Sequence, residues 1–202
     1  AIIVATAKHV LDFPADAQVD WRFECFAEDG AVTGECRFTT DERNETAQPH
    51  RCYKHTDVGF CVLPPPEQAS EGQLVPLDLQ PIRTISETDG VLQGTGVGWA
   101  GFPLQVEGFL RCPTLCYFEG VVSAFHRAKG CWTYIVDGNN APGVSGGPMW
   151  YWPVDGTEVA VAGIVSGHWH DDKGMPGFCY FEAINPIIAY IKSQYTGQNV
   201  ET

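Results

Sequence analysis

The sequence contains no run of about 18 apolar residues, so a helix that spans a membrane is not expected. It is also short of positive charge, because 12 Lys and Arg stand against 25 Asp and Glu and leave a net charge of -13 at pH 7. Proteins that grip nucleic-acid phosphates need a basic surface, so we expect neither a nucleic-acid nor a membrane partner. Apolar residues make up 44% of the 202 residues, enough for one large domain or two small ones with a shared core.

Cysteine is too sparse for a small fold held by disulfides, since eight cysteines are spread at irregular spacings over 202 residues. The close pair Cys112 and Cys116 lacks the second pair of Cys or His residues that a zinc site requires. We interpret the cysteines as free thiols that serve as small apolar residues, with a disulfide framework as the alternative. The segment 168–172, His-Trp-His-Asp-Asp, could ligate a metal, but we interpret it as a polar loop and expect no metal and no cofactor.

Short apolar segments separated by Gly, Pro, Asn or Asp predict an all-β fold with one terminal helix. Residues 19–25 and 32–38 alternate between apolar and polar around an intervening Glu-Asp-Gly turn, which predicts a hairpin. Asn185 and Pro186 are typical of a helix start, and the residues after them form a partly apolar stripe. Further strands are predicted at 58–63, 95–99, 104–109, 115–123, 132–136, 149–152, 159–165 and 178–184.

The strongest local signal is the segment 143–148, Gly-Val-Ser-Gly-Gly-Pro. A serine hydroxyl is a weak nucleophile, and a catalytic serine needs a tight turn that exposes its oxygen and leaves room for substrate. Glycines beside Ser145 allow both, and they let the amides of Gly143 and Ser145 point to one place where an oxyanion could form. An ordinary glycine-rich loop is the alternative interpretation.

A catalytic serine also needs a base, and the base needs an acid that orients it. His9 is one of six histidines and lies at the end of the predicted apolar strand 2–9. Asp57 opens another predicted strand, 57–63, so its carboxylate could reach a neighbouring imidazole. The spacing permits this contact without proving it, and His55 is an alternative base.

Three segments resemble, in order and spacing, the signatures of chymotrypsin-like serine proteases: 6–9 (Thr-Ala-Lys-His), 57–60 (Asp-Val-Gly-Phe) and 143–148. Over residues 1–195 the chain looks most like bacterial trypsin-like and HtrA-like peptidase domains. The Gly-Phe-Pro segment at 101–103 is similar to the start of the family's second barrel.

The resemblance implies an all-β fold of two six-stranded antiparallel β-barrels, over 1–80 and 90–185, with a C-terminal α-helix over 186–196. It implies a serine endopeptidase whose catalytic triad is His9, Asp57 and Ser145, in a cleft between the barrels. Ser145 would attack the scissile carbonyl, His9 would carry its proton, and Asp57 would hold the imidazole. The oxyanion hole would be formed by the backbone amides of Gly143 and Ser145.

The resemblance also implies how a protein or peptide substrate would bind. Its backbone would pair with the strand edge at Val165, Ser166 and Gly167. Asn139 lies about where members that select Arg or Lys carry an aspartate, and an unpaired cation in a neutral pocket is unfavourable. We therefore expect cleavage after an uncharged residue.

Three features depart from the secreted members of the family. Val144 stands in place of the aspartate that pairs with a new N-terminus after zymogen cleavage, so that activation is not expected. No cysteine flanks His9 closely or lies just before Ser145, and only eight residues precede His9, where the family has a further strand. We therefore expect an intracellular, bacterial location, a larger parent polypeptide or complex, and a first barrel that lacks its first strand here.

Two other functions remain open at this point. A catalytically silent protease-like domain would bind extended peptides within a larger assembly. An esterase on the same fold would use the same serine chemistry, although the substrate-pairing strand favours peptides.

Overall fold

The computed structural model describes residues 2–11, 20–26, 32–39, 50–52, 55–63, 83–86, 88–104, 114–154, 156, 158–169 and 177–195. Over these residues the chain forms eleven strands and two helices. In chain order they are β1 (Ile2–Ala7), α1 (Lys8–Leu11), β2 (Asp20–Phe26), β3 (Val32–Thr39), β4 (His50–Cys52), β5 (Val58–Leu63), β6 (Gly96–Gly101), β7 (Cys116–Ala128), β8 (Cys131–Asp137), β9 (Pro148–Tyr151), β10 (Ala160–Trp169), β11 (Phe178–Ala183) and α2 (Asn185–Tyr195).

Six strands from the second half of the chain close into an antiparallel barrel with the order β10-β11-β8-β7-β6-β9. Strands β7 and β8 pair as a hairpin, and β11 pairs with both β8 and β10. The ring is completed where β9 pairs with both β6 and β10. The prediction of a mostly β fold with a barrel and a short C-terminal helix is therefore confirmed.

The first half of the chain forms two smaller antiparallel sheets. Strand β5 lies between β1 and β4, and β2 pairs with β3. The β2–β3 pairing confirms the hairpin predicted from the alternating pattern. The described residues of this half do not close into a barrel of their own, so the two-barrel architecture stays a prediction.

Strand boundaries agree with the predicted apolar segments in most places. Strand β5 occupies the predicted segment 58–63, whereas β7 and β10 run well beyond their predicted ends. Strand β7 is longer because its polar end continues the ladder with β8 as far as the pair Ala128 and Cys131. The predicted strand 104–109 lies outside the described residues except for Leu104.

The position of His9 differs from the prediction. Strand β1 ends at Ala7, and His9 lies on the one-turn helix α1 instead of on a strand. The first amides of a helix have no partner within it. Here Lys8 N donates to the Asp57 carbonyl at 2.9 Å, and His9 N donates to Asp57 Oδ1 at 2.9 Å. The turn is therefore held by a residue 48 positions away, which no local pattern reveals.

Aromatic rings fill the barrel and join it to the first half of the chain. Trp99 on β6 is fully buried, with its ring centroid 5.9 Å from Phe118 and 5.1 Å from Phe181. The ring centroid of Phe60 on β5 lies 4.7 Å from that of Tyr190 on α2. The hydrophobic core thus contains side chains from both halves, which fixes β5 against the barrel.

Replacement of Trp99 by Ala is expected to lower the free energy of unfolding by about 3–5 kcal/mol, because it removes a fully buried ring and leaves a cavity. Trp152→Ala is the matched control, since the Trp152 side chain is 64% exposed, and its loss is expected to stay below about 0.5 kcal/mol. Urea unfolding followed by far-ultraviolet circular dichroism measures both. Similar losses of unfolding free energy in the two variants would contradict the role of Trp99 in the hydrophobic core.

Candidate active site

Two consecutive turns shape the segment 141–147. The amide of Val144 donates to the carbonyl three residues before it at 3.3 Å, and the amide of Gly147 donates to the Val144 carbonyl at 3.0 Å. The third residue of each turn, Gly143 and Gly146, has a φ of 94° and 88°. A turn with a positive φ at its third position and not at its second is of type II, which glycine adopts without strain. Gly143 and Gly146 of the serine motif are therefore required by the path of the backbone.

These turns leave two amides available beside the serine. In the described part of the chain, the amides of Val144, Gly146 and Gly147 each donate to a backbone carbonyl, whereas those of Gly143 and Ser145 have no acceptor. Amides without an internal partner next to a serine hydroxyl are the donors that an oxyanion hole uses.

Val144, between the two available amides, points into the protein. Its side chain is 1% exposed, and a Cβ added to Gly101 would lie 2.7 Å from Val144 Cγ1. An aspartate buried at this place would need a charged partner, whereas valine needs none.

Strand β10 binds the serine loop through its backbone. Gly146 N donates to the Val165 carbonyl at 2.8 Å, and Val165 N donates to the Gly147 carbonyl at 2.8 Å. Both backbone groups of Val165 are therefore used within the chain. Of the predicted substrate edge, Val165 is thus bound to the serine loop, and Gly167 lies opposite Tyr180 on β11.

His9 and Asp57 are in direct contact. His9 Nδ1 lies 2.7 Å from Asp57 Oδ2, while the backbone amide of His9 donates to the other carboxylate oxygen at 2.9 Å. With the proton on Nδ1 donated to the carboxylate, Nε2 is left as a proton acceptor. The His9 side chain is 50% exposed, so a reacting group can approach it.

Ser166 ties the same aspartate to the barrel. Its hydroxyl donates to Asp57 Oδ2 at 2.6 Å, a short distance that is typical of a hydroxyl bound to a carboxylate. The register between β10 and β11 shifts between Val165 and Gly167, so Ser166 has no partner on β11. Such a bulge turns a side chain out of the regular alternation of a strand. Here it directs the Ser166 hydroxyl to Asp57.

The serine loop also packs against the strand that leads to His9. A Cβ added to Gly146 would collide with Thr6 Oγ1 and lie 3.4 Å from the amide nitrogen of Ala7. Ser145 and Thr6 line one cavity of about 310 Å³. The structure thus brings the Ser145 segment to the end of β1, but no hydrogen bond joins His9 to Ser145 among the described contacts.

A partly buried carboxylate lies beside the turn that carries Asp57. Glu182 on β11 accepts a hydrogen bond from Thr56 Oγ1 at 2.8 Å, and Thr133 Oγ1 donates to both of its oxygens at 3.1 and 3.2 Å. Burial raises the pKa of Glu182, the two hydroxyl donors oppose the rise, and the charge of Asp57 adds to it. Because this pKa is higher in the folded chain, stability is lost as the pH rises through it and Glu182 ionises.

The residues ahead of the serine loop are mostly uncharged. Asn139 is exposed and follows Gly138, whose carbonyl accepts a hydrogen bond from Cys179 Sγ at 3.0 Å. Burial, with a smaller contribution from Asp137, raises the pKa of Cys179 to about 11, so this thiol is neutral at ordinary pH. No hydrogen bond among the described contacts joins Asn139 to the other predicted site residues.

The alternative base, His55, contacts a different group. Lys129 Nζ lies 3.3 Å from each ring nitrogen of His55, so the ring faces the β7–β8 hairpin. In the described contacts it is His9, and not His55, that binds Asp57.

The described ranges contain neither a metal-binding cluster nor a membrane-spanning helix. No group of three His, Cys, Asp or Glu residues there could hold a metal ion, and residues 170–172 of the segment 168–172 lie outside them. No described helix is long and apolar enough to cross a membrane. Cys116, Cys131 and Cys179 carry free thiols.

In the comparison with known proteins, no protein family model matches the chain, and no curated protein matches it. The likeness to chymotrypsin-like proteases therefore rests on the three sequence segments and stays a resemblance.

Two contributors to the site were not predicted in their observed roles. Ser166 was expected to meet substrate, yet its hydroxyl binds Asp57. Glu182 carries no local signal, because its bond to Thr56 joins residues 126 positions apart.

Gly146→Ala is expected to destabilise the protein more than Gly94→Ala. Both glycines have a positive φ, 88° and 84°, so both variants strain the backbone. A new Cβ at Gly146 also collides with Thr6, whereas nothing lies within 4 Å of one at Gly94. We expect the free energy of unfolding, measured by chemical unfolding, to fall by about 2–4 kcal/mol in Gly146→Ala and by about 1 kcal/mol in Gly94→Ala. Equal losses would contradict the packing of the serine loop on β1.

Proposed function

We propose that the protein is a serine endopeptidase in which Ser145 attacks the scissile carbonyl and forms an acyl-enzyme. His9 accepts the Ser145 proton at Nε2 and passes it to the leaving amine, while Asp57 holds the imidazole and stabilises its charged form. The amides of Gly143 and Ser145 donate to the oxyanion. Water then hydrolyses the acyl-enzyme, with His9 again acting as the base.

The double contact between His9 and Asp57 carries this proposal. One carboxylate binds both Nδ1 and the backbone amide of the same histidine, at 2.7 and 2.9 Å. This arrangement favours one tautomer and leaves Nε2 ready to accept a proton. The loop with Ser145 and its two available amides packs on the strand that leads to His9, which supports the assignment of the nucleophile.

The finer architecture and the substrate class belong to the same proposal. The first half of the chain would complete a second six-stranded barrel, with the cleft between the two barrels. The peptide backbone would pair with the edge at Ser166 and Gly167. The uncharged side chain of Asn139 favours an uncharged residue before the cleaved bond.

Ser145→Ala is expected to abolish covalent labelling by a fluorophosphonate probe. The variant removes the proposed nucleophile, and a serine without an activating base is not modified. His9→Ala is expected to slow labelling by about 10³-fold or more, since the base is lost. Ser123→Ala and His55→Ala are the matched controls and should label at the rate of the wild-type protein. Mass spectrometry of the labelled peptide identifies the modified residue.

Two results would contradict the proposal. Labelling that survives in Ser145→Ala would place the nucleophile elsewhere. A wild-type protein that is never labelled would favour the catalytically silent domain that binds extended peptides.

A peptide library is expected to show cleavage after uncharged residues. Asn139→Asp should move the preference toward Arg and Lys, because the new carboxylate would pair with a cationic side chain. Mass spectrometry of the cleaved peptides measures the preference in both proteins. A wild-type preference for Arg or Lys would contradict the assignment of a neutral pocket, and cleavage of esters without cleavage of peptides would favour an esterase.

A further inference from the structure

We propose that Glu182 is a positioning residue that holds the turn of Thr56 and Asp57 on the barrel and so keeps Asp57 in contact with His9. The expected effect of Glu182 on catalysis rests on the proposed peptidase function. The expected effect of Glu182 on the contact between His9 and Asp57 is independent of that function.

The position of Glu182 is set by the barrel. In the ladder between β8 and β11, Glu182 lies directly opposite Thr133. Thr133 Oγ1 donates to Glu182 Oε1 at 3.2 Å and to Oε2 at 3.1 Å. The carboxylate is thus oriented by a neighbouring strand before it meets the first half of the chain.

From this fixed position Glu182 reaches across to the turn before β5. Thr56 Oγ1 donates to Glu182 Oε2 at 2.8 Å, and Thr56 directly precedes Asp57. Asp57 itself accepts a hydrogen bond from Ser166 on β10 at 2.6 Å. Two successive residues of the turn are therefore bound to two neighbouring strands of the barrel. The bond from Thr56 to Glu182 thus holds the turn on the barrel at a second point, beside the bonds that the Asp57 carboxylate makes to Ser166 and His9.

Packing alone does not explain a carboxylate at this place. Burial and the charge of Asp57 both disfavour the ionised form, and in the described contacts the partners of Glu182 are the two threonine hydroxyls. The other titratable group facing it is Cys131 on β8, whose thiol pKa is raised by burial and by the charge of Glu182. The cation Lys129 is in contact with His55, the residue before Thr56.

A half-buried polar group with this cost is expected to serve through its hydrogen bonds. Thr56 and Thr133 are both hydroxyl donors, so an acceptor between them joins the turn to the barrel. An alanine at 182 would leave both hydroxyls without this acceptor. A glutamine would keep the link, because its oxygen can accept from Thr56 while its amide donates to Thr133.

The test compares Glu182→Ala and Glu182→Gln in two measurements on the full chain. The first is the hydrolysis of a peptide substrate, with kcat and KM determined separately. The second is the low-field proton signal of His9 Nδ1–H, recorded by nuclear magnetic resonance. Glu119→Ala and Glu119→Gln are the matched controls, because Glu119 is exposed on β7.

We expect Glu182→Ala to lower kcat by about tenfold or more with KM nearly unchanged, since His9 is misplaced more often. The His9 signal should broaden or shift in the same variant. Glu182→Gln should restore both to near the wild-type values, and the Glu119 variants should change neither. If Glu182→Ala does not fold, Thr56→Val removes the same link and should give the same two changes.

The outcomes separate this inference from the proposed function. A folded Glu182→Ala or Thr56→Val protein with unchanged kcat and an unchanged His9 signal would overturn the positioning role. If Glu182→Gln does not restore the kcat and the His9 signal that Glu182→Ala changes, the positioning role is overturned as well. If the wild-type protein hydrolyses no peptide but its His9 signal still responds to Glu182→Ala, the positioning role stands and the proposed peptidase function fails.

Discussion

The hydrogen bond from the Ser166 hydroxyl to Asp57 Oδ2, 2.6 Å long, joins the two halves of the candidate site. Val165, the residue before Ser166, binds the serine loop through both its backbone amide and its carbonyl. Two adjacent residues of β10 thus hold the segment of Ser145 and the partner of His9. A shift of the strand by one residue would exchange the directions of Val165 and Ser166, and the site would lose both attachments at once.

The closed barrel explains why β10 can carry this role. Strand β10 is paired with β11 over residues 163–169 and with β9 over residues 160–164, and the serine loop binds Val165 on the β9 side. The buried ring of Trp99 and its aromatic contacts fill the space behind these strands. A functional side chain on a strand that is fixed on both sides needs little reorganisation when substrate binds. The bulge at Ser166 interrupts the pairing with β11 where the strand must reach Asp57, and a second register shift, between Val161 and Gly163, lies in the pairing with β9.

The sequence predicts those parts of the structure that depend on neighbouring residues. Alternation predicts the β2–β3 hairpin, and the apolar segment 58–63 predicts β5. Gly143 and Gly146, two of the three glycines of the serine motif, predict tight turns, because their positive φ values are a property of the local backbone.

What the sequence does not predict depends on distant residues. The helical turn at His9 forms where Asp57 binds two successive amides, so the apolar pattern alone suggests a longer strand. The hydroxyl of Ser166 finds Asp57 only because of a register shift with β11, which no pattern in β10 reveals. The encounter of Glu182 with Thr56 likewise requires the folded barrel.

A crystal structure of the protein after reaction with a boronic-acid inhibitor tests the central claim most directly. The account predicts a covalent bond to Ser145 Oγ, with an inhibitor oxygen within hydrogen-bonding distance of the amides of Gly143 and Ser145. It also predicts that Asp57 still binds both His9 and Ser166. An inhibitor attached to another residue, or an Asp57 carboxylate turned away from His9 and Ser166, would contradict it.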